Sequence, residues 1–410
     1  MFIEVSKNLK ALSKFFPEGL YVVGGYVRNK LLGIDAGDVD LASPVDIEEV
    51  SKRLEGSGFS VKVKNLKTGS LLINKDAESY EYTFFRKDVY GDKGSHTPTR
   101  VERTDDISED SKRRDFSVNS IYYNINKDEI VDFYHGIIDL KQKVLRCGLS
   151  PEHVLGVDGE RILRMVRLAG ELGFSIDKNT FATALKFTSN VTSLTGARRF
   201  SEIEKILYCD RRYVANKGNL KIALKLLNAL GIWKYFSLKG ATVKYNMVYK
   251  VEDRLLGLLI DIVDTEKPEC LQAFLEKFLK EQFGISALLS AKIFVFLAGY
   301  YNALGGMANK EYFFKYYEDW ATIYSLLGGK SKRIQNKYNF FYKYIIEHGL
   351  IVQISKLKIT ESDIRVNFKN IDKRSHNRIL QNLLSKVFDG KVPNEKAALL
   401  AEIERNLQNY

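Results

Sequence analysis

The sequence predicts an α+β fold in which an N-terminal part built on a small mixed β-sheet is followed by all-helical parts. Up to about residue 147, short apolar runs alternate with turn-forming residues, which is typical of strands joined by loops. Beyond Pro151, apolar residues recur at helical spacing, and only two of the six prolines follow, Pro268 and Pro393. A chain of 410 residues also exceeds one ordinary core. We predict parts at residues 1–147, 148–215 and 216–410.

Each strand of the N-terminal part is predicted where an apolar run lies between turn signals. These runs are Leu20–Val27, Val39–Ser43, Phe59–Lys64, Ser70–Ile73 and Tyr80–Phe85. The polar stretch Lys87–Asp106 contains two glycines and a proline and is predicted to be a mobile loop. A helix is predicted over Ser108–Tyr122 with Ser108 as its N-cap, and a strand pair on either side of Asn126–Asp128. Breaks between later helices are predicted near residues 190–195, 216–219, 266–269, 305–309 and 328–332.

The charge balance favours a polyanionic partner. The chain has 63 Lys and Arg against 51 Asp and Glu, a net charge of +12 and a pI near 9.2. Such an excess suits nucleic acid, because each phosphate that the protein neutralises releases counterions. A basic protein without a nucleic-acid role is the alternative.

Cysteine use and hydropathy indicate a cytoplasmic protein. Three cysteines lie far apart and form no C-x-x-C pattern: Cys147, Cys209 and Cys270. This spacing argues against a disulfide framework or a structural zinc site and fits a reducing compartment. The segment Met1–Lys7 lacks the features of a secretory signal. The apolar stretch Ile285–Gly305 is interrupted by Lys292 and Asn302, so we expect a buried helix and no membrane span.

Two aspartates near a glycine pair form the most informative motif. Gly24 and Gly25 end an apolar run, and Asp38 and Asp40 follow two residues apart. On a strand, residues i and i+2 project to the same face, so both carboxylates could hold Mg²⁺ together with substrate phosphates. The glycines would let a phosphate approach the backbone at a helix N-terminus. A bare Asp-x-Asp is more often a solvated pair, but this one follows a glycine turn within a strand–helix–strand unit.

The candidate third carboxylate for such a metal is Glu81, in the strand Tyr80–Phe85. An exposed strand residue is an equally good interpretation of Glu81. With a metal in place, phosphoryl-transfer chemistry depends mostly on positioning and charge neutralisation. Arg28 is expected to add positive charge near the phosphates.

A second motif combines adjacent arginines with an aspartate and an asparagine, in the string Lys112–Ser120. Because neighbouring residues leave a helix in different directions, at most one of Arg113 and Arg114 is expected to face a given site. Asp115 could orient an arginine, and Asn119 could reach a sugar hydroxyl. In isolation this string would be a solvated basic helix.

A third motif places an aspartate at the head of a row of arginines. Asp158, Arg161 and Arg164 recur every three residues, and Arg167 extends the row along one face of a predicted helix. Apolar residues form the opposite face, and Gly173 is a predicted C-cap. An amphipathic helix with i,i+3 ion pairs is the plainer alternative.

Together the three strings resemble the class II tRNA nucleotidyltransferase and bacterial poly(A) polymerase family. Gly24 to Asp40 matches the first motif of that family without a gap, although Asn29 stands where the family has aspartate. Arg113–Asn119 and Val157–Arg161 resemble its Arg-Arg-Asp-Phe-Thr-x-Asn and Glu-Asp-x-x-Arg motifs. Thr195–Leu207 is similar to the following neck helix. The resemblance covers roughly residues 20–207.

The resemblance implies a nucleotidyltransferase head over 1–147, a neck with a base-recognition helix over 148–215, and a tRNA-binding body and tail over 216–410. Asp38 and Asp40 would be the catalytic metal ligands, with Mg²⁺ as cofactor. The residues implied at the incoming nucleotide are Gly25, Arg28, Arg114, Asp158, Arg161, Arg164 and Arg167. Asp158 and Arg161 would act as a protein template for the base.

The implied reaction adds C, C and A from CTP and ATP to the 3′ end of tRNA and releases pyrophosphate. Three alternatives stay open at this point. The chain could be a poly(A) polymerase, an enzyme that adds only CC or only A, or a catalytically inactive RNA-binding paralogue.

Overall fold

The computed structural model describes residues 3–34, 37–91, 98–213, 218–250, 253–287 and 348–409, with single residues between 289 and 347. These residues group into two compact units. One unit comprises Met1–Tyr245 and Asp261–Ala287, and the other comprises Asn246–Ile260 and Leu288–Tyr410. The part boundaries predicted near residues 147 and 215 both fall within the first unit and stay predictions about its subdivision.

A seven-stranded sheet forms one layer of the first unit. The described strands of this unit, seven in the large sheet and four in two small sheets (β6-β7 and β10-β11), are β1 (Tyr21–Val23), β2 (Val39–Ser43), β3 (Ser60–Asn65), β4 (Ser70–Lys75), β5 (Glu78–Phe84), β6 (Arg86–Val89), β7 (Arg100–Arg103), β8 (Ile121–Asn124), β9 (Glu129–Asp132), β10 (Val144–Leu145) and β11 (Ser175–Ile176). The large sheet has the order β3-β4-β5-β2-β1-β8-β9. Within it β2 and β5 run parallel and the other neighbours antiparallel, which confirms the predicted mixed sheet.

Helices make up most of the rest of the first unit. They are α1 (Lys7–Ser13), α2 (Gly25–Leu32), α3 (Ile47–Arg53), α4 (Ile107–Lys112), α5 (Gly136–Gln142), α6 (Pro151–Leu155), α7 (Glu160–Leu172), α8 (Lys178–Phe187), α9 (Gly196–Leu207), α10 (Leu220–Ala229), the C-terminal part of α11 (Arg254–Glu266) and α12 (Leu271–Phe283). Beyond Pro151 the described chain is mostly helical, with β11 and irregular stretches such as residues 237–250, so the predicted α+β class is confirmed.

The strand predicted over Leu20–Val27 is shorter in the structure. It ends at Val23, and α2 begins at Gly25. Val27, predicted in the strand, lies on α2 and is fully buried. A short apolar run fits the buried face of a helix as well as a strand, so periodicity alone does not separate the two.

The stretch predicted as a mobile loop, Lys87–Asp106, contains most of a β-hairpin. Strands β6 and β7 pair antiparallel from Arg86 opposite Arg103 to Val89 opposite Arg100. Charged side chains dominate both strands, so the alternation typical of a half-buried strand is missing from the sequence. Residues 92–97 at the centre of the stretch lie outside the described residues.

The helix predicted over Ser108–Tyr122 ends early, at Lys112. Its N-cap is Asp106, whose carboxylate accepts a hydrogen bond from the backbone N–H of Ser108. A 3₁₀ turn follows at Ser117–Asn119, and Ile121 opens β8, which pairs with β9 as predicted. The fully buried residues Ile121 and Tyr122 belong to the sheet, so tertiary packing overrides the helical pattern.

Helix α7 lies at the centre of the helical layer and packs on α9 and α10. Its apolar side is fully buried at Ile162, Leu163 and Val166. Gly173 ends the helix in the left-handed conformation, with φ of 68°, which confirms the predicted C-cap. The opposite side of α7 carries the arginine row.

The predicted helix breaks near 190–195 and 266–269 are confirmed by a 3₁₀ turn at Thr188–Ser193 and by the gap between α11 and α12. The break at 216–219 falls partly outside the described residues, and those at 305–309 and 328–332 fall entirely outside them. In the part of the chain that the structure describes, no helix has the length and hydropathy that crossing a membrane requires.

The second unit contains the N-terminal part of α11 and a C-terminal helical group formed by α13 (Glu361–Asn367), α14 (Lys373–Phe388) and α15 (Lys396–Arg405). Its core is a cluster of buried aliphatic side chains that includes Ile364, Ile379, Leu383 and Ile403. Thr360 begins α13 with a capping box in which it and Asp363 satisfy each other's backbone N–H groups.

Candidate active site

A cavity of about 650 Å³ opens in the first unit. Its walls come from α2, the start of β2, the β6 strand, the turn after α4, and α7. All nine residues predicted as metal or nucleotide ligands line it: Gly25, Arg28, Asp38, Asp40, Arg114, Asp158, Arg161, Arg164 and Arg167. The structure therefore brings the three sequence motifs to one place, while the role of each residue stays a prediction.

The two aspartates face the cavity from the start of β2. Asp38 directly precedes the strand and Asp40 lies in it, opposite Val23 on β1. Gly24 has a φ of 77°, which favours glycine, and a Cβ at this position would lie 3.5 Å from Oδ2 of Asp40. The glycine thus permits the turn and leaves space beside the carboxylate.

Asp40 is exposed to the cavity, yet the surrounding walls still remove water from it. Burial raises the pKa of Asp40 to about 6; Arg114 opposes the shift, and the carboxylates of Glu81 and Asp38 add to it. A carboxyl group crowded by other carboxylates gains from a bound cation, which would relieve the repulsion.

The carboxylates of Asp38 and Asp40 suit a hard divalent cation that also binds ligands from outside the protein. Carboxylate oxygens are the ligands that Mg²⁺ prefers, and it usually takes one or two of them together with substrate phosphates and water. Glu81 lies opposite Asp40 on β5, but its carboxylate is ion-paired with Lys64 at 2.6 Å. Among the described residues, no three His, Cys, Asp or Glu side chains could hold a metal by themselves.

Arg28 is a buried cation at the cavity wall, with 3% of its surface exposed. Its Nε and Nη2 donate to Oδ1 of Asn29 at 3.0 and 2.9 Å, and its Nη1 donates to Oδ1 of Asn119 at 2.7 Å. Nη2 also donates to the hydroxyl of Tyr213. Because Asn29, Asn119 and Tyr213 are neutral acceptors, none of these hydrogen bonds is an ion pair that would offset the positive charge of Arg28. Asn29 in place of the family's aspartate thus holds the guanidinium and keeps its charge available.

The adjacent arginines both line the cavity, which corrects the expectation that only one could face it. The helix ends at Lys112, so Arg113 and Arg114 follow a turn and are not constrained by helical spacing. Nε of Arg113 donates to Asp110 at 2.8 Å. Arg114 donates from Nη2 to Asp110 at 3.2 Å and from Nε to the hydroxyl of Tyr122 at 2.7 Å.

Asp115 orients an arginine, as predicted. Its Oδ2 accepts hydrogen bonds from both Nε and Nη2 of Arg164, at 2.9 and 2.7 Å, in a charge-assisted ion pair. Burial raises the pKa of Asp115, but Arg164 and the other donors outweigh it and hold the pKa well below its usual range. Nδ2 of Asn119 also donates to Asp115, so Asn119 links this pair to Arg28.

Asp158 and Arg161 form an adjacent acceptor and donor in the cavity wall. Nε of Arg161 lies 3.6 Å from Oδ2 of Asp158, and the side chains are 8% and 6% exposed. Oδ1 of Asp158 accepts from the backbone N–H of Glu160. Nη2 of Arg161 donates to the carbonyl oxygen of Arg113 at 2.7 Å and to the hydroxyl of Tyr90 at 3.3 Å. These contacts fix the plane of the guanidinium.

Arg167 is held by two carboxylates, Glu202 at 2.9 Å and Glu171 at 3.0 Å. Its positive charge is therefore largely compensated within the protein. Among the described residues, the lining of the cavity contains nine arginines and no lysine, against seven carboxylates. Arginine presents a planar fork that matches phosphate oxygens, so this lining suits a phosphorylated ligand.

Several residues of the site were not predicted from the sequence: Tyr90, Asp110, Tyr213 and Glu202. Asp110 had a usable signal, because it precedes Arg113 and Arg114 by three and four residues, a spacing at which helical side chains meet. Tyr90 lies in the stretch predicted as a loop. Tyr213 and Glu202 are distant in sequence from their partners, and no local pattern indicates such pairs.

Comparison with known proteins shows what the chain is similar to. Residues 20–146 match the poly(A) polymerase head domain. CCA-adding enzymes of Streptococcus mutans serotype c and Streptococcus pyogenes serotype M2 are 33% and 35% identical to the chain over 207 residues. In both comparisons the match covers 50% of this chain and 50% of the relative, so the chain spans about half the length of these relatives.

Two solved structures of CCA-adding enzymes share the fold. The CCA-adding enzyme of Bacillus stearothermophilus in complex with CTP matches with a TM-score of 0.65 and 19% identity, over 98% of both chains. The Thermotoga maritima CCA-adding enzyme complexed with tRNA matches with a TM-score of 0.54 and 21% identity, over 98% of this chain and 96% of that one.

Proposed function

We propose that the protein is a CCA tRNA nucleotidyltransferase, which adds C, C and A from CTP and ATP to the 3′ end of tRNA and releases pyrophosphate. One observation carries the proposal: the cavity that holds the carboxylates of Asp38 and Asp40 also holds the Asp158–Arg161 pair. The first pair suits a metal and the second suits the edge of a base. The match of residues 20–146 to the poly(A) polymerase head domain and the similarity to CCA-adding enzymes support the same activity.

The metal in this proposal is Mg²⁺, held by Asp38 and Asp40. When bound, Mg²⁺ would activate the attacking 3′-hydroxyl and neutralise charge on the phosphates. Gly24 and Gly25 let the triphosphate approach the N-terminus of α2, where backbone N–H groups and the helix dipole favour an anion.

Arg28 and Arg114 add fixed positive charge to this region of the cavity. Both guanidiniums are held by neighbouring side chains and would need little rearrangement to meet the phosphates. The α-phosphate of the nucleotide would be attacked by the 3′-hydroxyl of the RNA, and pyrophosphate would leave. Catalysis of this kind depends mainly on preorganised positioning and charge.

Asp158 and Arg161 would select the base, supported by Arg164 and Arg167. Cytosine and adenine each present an amino donor next to a ring-nitrogen acceptor, and an Asp acceptor beside an Arg donor complements that edge. Guanine and uracil present the reverse order and would leave buried polar groups unpaired. Both side chains are largely buried, so the cost of a mismatch would not be relieved by water.

The helical parts would bind the tRNA, with 148–215 as the neck, which carries the base-recognition helix α7, and 216–410 as body and tail. The net charge of +12 supports this partner. We also propose a cytoplasmic location, which the three free cysteines support.

Primer extension tests the function directly. Three tRNA transcripts that end before CCA, after C and after CC are each given CTP, ATP or both with Mg²⁺, and the products are sized at single-nucleotide resolution. Ordered addition that stops at CCA is the expected result. A stop at CC, extension of the CC transcript alone, or a long A tail would each replace the proposal with the corresponding alternative. No incorporation in any reaction would favour the inactive RNA-binding paralogue.

A further inference from the structure

The carboxylate of Asp110 is the most completely enclosed acidic group at the edge of the cavity. The residue has 0% of its surface exposed. Its two oxygens each accept two hydrogen bonds, Oδ1 from the backbone N–H of Arg86 and from Arg113, and Oδ2 from Arg114 and the hydroxyl of Tyr122. A buried charge is tolerated only when it is paired in this way.

Three of these four donors are side chains, and two of them belong to arginines that line the cavity. Arg113 and Arg114 are 15% and 14% exposed, so each reaches the cavity with only part of its guanidinium. In Arg114 the Nε and Nη2 groups are bound by Tyr122 and Asp110. The Nη1 group is then the part of this side chain left to meet a ligand, in a plane that Asp110 sets.

Asp110 also offsets the repulsion between the neighbouring guanidiniums of Arg113 and Arg114. One buried carboxylate between two cations lowers their mutual repulsion and leaves a net positive charge toward the cavity. Arg114 is close enough to interact with Asp40, so its orientation matters where the phosphates would lie. In addition, the carbonyl oxygen of Arg113 accepts a hydrogen bond from Arg161.

We propose that Asp110 is a positioning residue for the triphosphate of the incoming nucleotide, acting through Arg113 and Arg114. This inference rests on the proposed function and deepens it. Asp110 itself touches no ligand. Its loss should weaken binding of the phosphates and leave binding of the nucleoside part almost unchanged, which distinguishes positioning from a general effect on folding.

The test compares ATP with adenosine, in the presence of Mg²⁺ and without RNA, by direct titration and competition. In Asp110→Asn an amide donor replaces one acceptor oxygen and the charge is lost. ATP affinity should fall about 10- to 100-fold, the size of a weakened charge-assisted hydrogen bond, while adenosine affinity changes less than about twofold. Tyr122→Phe, which removes only the bridging hydroxyl, should give a smaller loss in the same direction. Asp110→Glu should recover part of the ATP affinity.

The matched control is Asp139→Asn. Asp139 is also buried, at 4% exposure, and is held by Ser117 and Arg146 without lining the cavity. This variant should lose thermal stability but keep its preference for ATP over adenosine. If Asp110→Asn does not fold, Tyr122→Phe decides the question alone. Unchanged ATP affinity, or equal losses for ATP and adenosine, would overturn the positioning role; failure of the unmodified protein to bind ATP or CTP would instead overturn the proposed function.

Discussion

Replacement of Asp158 by alanine tests how the cavity chooses a base. In the proposed complex the Asp158 carboxylate accepts a hydrogen bond from the amino group of cytosine or adenine, and Arg161 donates to the ring nitrogen. Asp158→Ala removes the acceptor that would oppose the carbonyl oxygen of uracil or guanine. We therefore expect the variant to use UTP and GTP better, relative to CTP and ATP, than the unmodified protein does.

The size of the effect follows from burial. The side chains of Asp158 and Arg161 are 6% and 8% exposed, so water cannot replace a missing partner. A buried polar group without a partner costs about 1–3 kcal/mol, which corresponds to a change of about 5- to 150-fold in selectivity. Loss of the Asp158–Arg161 ion pair would also free the guanidinium, but its bonds to Arg113 and Tyr90 should limit that movement.

The assay measures kcat/KM for CTP and UTP on a transcript that ends before CCA, and for ATP and GTP on a transcript that ends after CC. Glu152→Ala is a suitable control, because Glu152 is an exposed acid on α6 outside the cavity. The control should keep the selectivity of the unmodified protein. The same ratios for CTP over UTP in Asp158→Ala and in the unmodified protein would refute the template.

Two further predictions concern Asp115 and Gly24, which support the site. Asp115→Asn should destabilise the fold by about 2–3 kcal/mol, below the usual cost of breaking a buried ion pair because Arg164 is 35% exposed. The folded-state pKa of Asp115 lies below its unfolded value. Its contribution to the free energy of unfolding should therefore be full above about pH 4 and should disappear as the pH falls further. Urea unfolding of the variant and the unmodified protein at several pH values measures this, and a stability difference that stays constant down to about pH 2 would contradict the assignment. Gly24→Ala should destabilise the fold by about 1–3 kcal/mol because of its φ of 77°, and it should weaken Mg²⁺-dependent activity because the strained turn lies beside Asp40. Gly33→Ala at the end of the same helix has a similar φ and open space, so equal loss of activity in both variants would argue against a specific role of the turn at Gly24.

Much of the site could be predicted because its chemistry is local in sequence. The Asp38 and Asp40 pair, the arginine pair and the row on α7 each occupy a short string with recognisable spacing. The structure brings all three strings to one cavity, although nothing in the spacing within each string requires them to meet. The resemblance to a known family supplied that step.

The errors arose where tertiary contacts decide the local structure. Val27 is apolar in a short run and fits strand or helix equally. The helix predicted over Ser108–Tyr122 ends at Lys112 and gives way to a 3₁₀ turn and the first residues of β8. The role of Asp110 was missed for a related reason. Its position in the first turn of α4 already suggests a favourable interaction with the helix dipole, which hides its contacts with the two arginines beyond the helix end.

The central claim is that Asp38 and Asp40 hold the metal for nucleotidyl transfer. The most direct test is single-turnover addition of one C to a tRNA transcript lacking CCA, with Asp40→Ala and the unmodified protein, while tRNA binding is measured in parallel. We expect Asp40→Ala to lower the rate by at least about 10³-fold and to retain tRNA affinity, because the carboxylate contributes to charge neutralisation in the transition state. Substantial residual activity in Asp40→Ala would contradict the metal assignment.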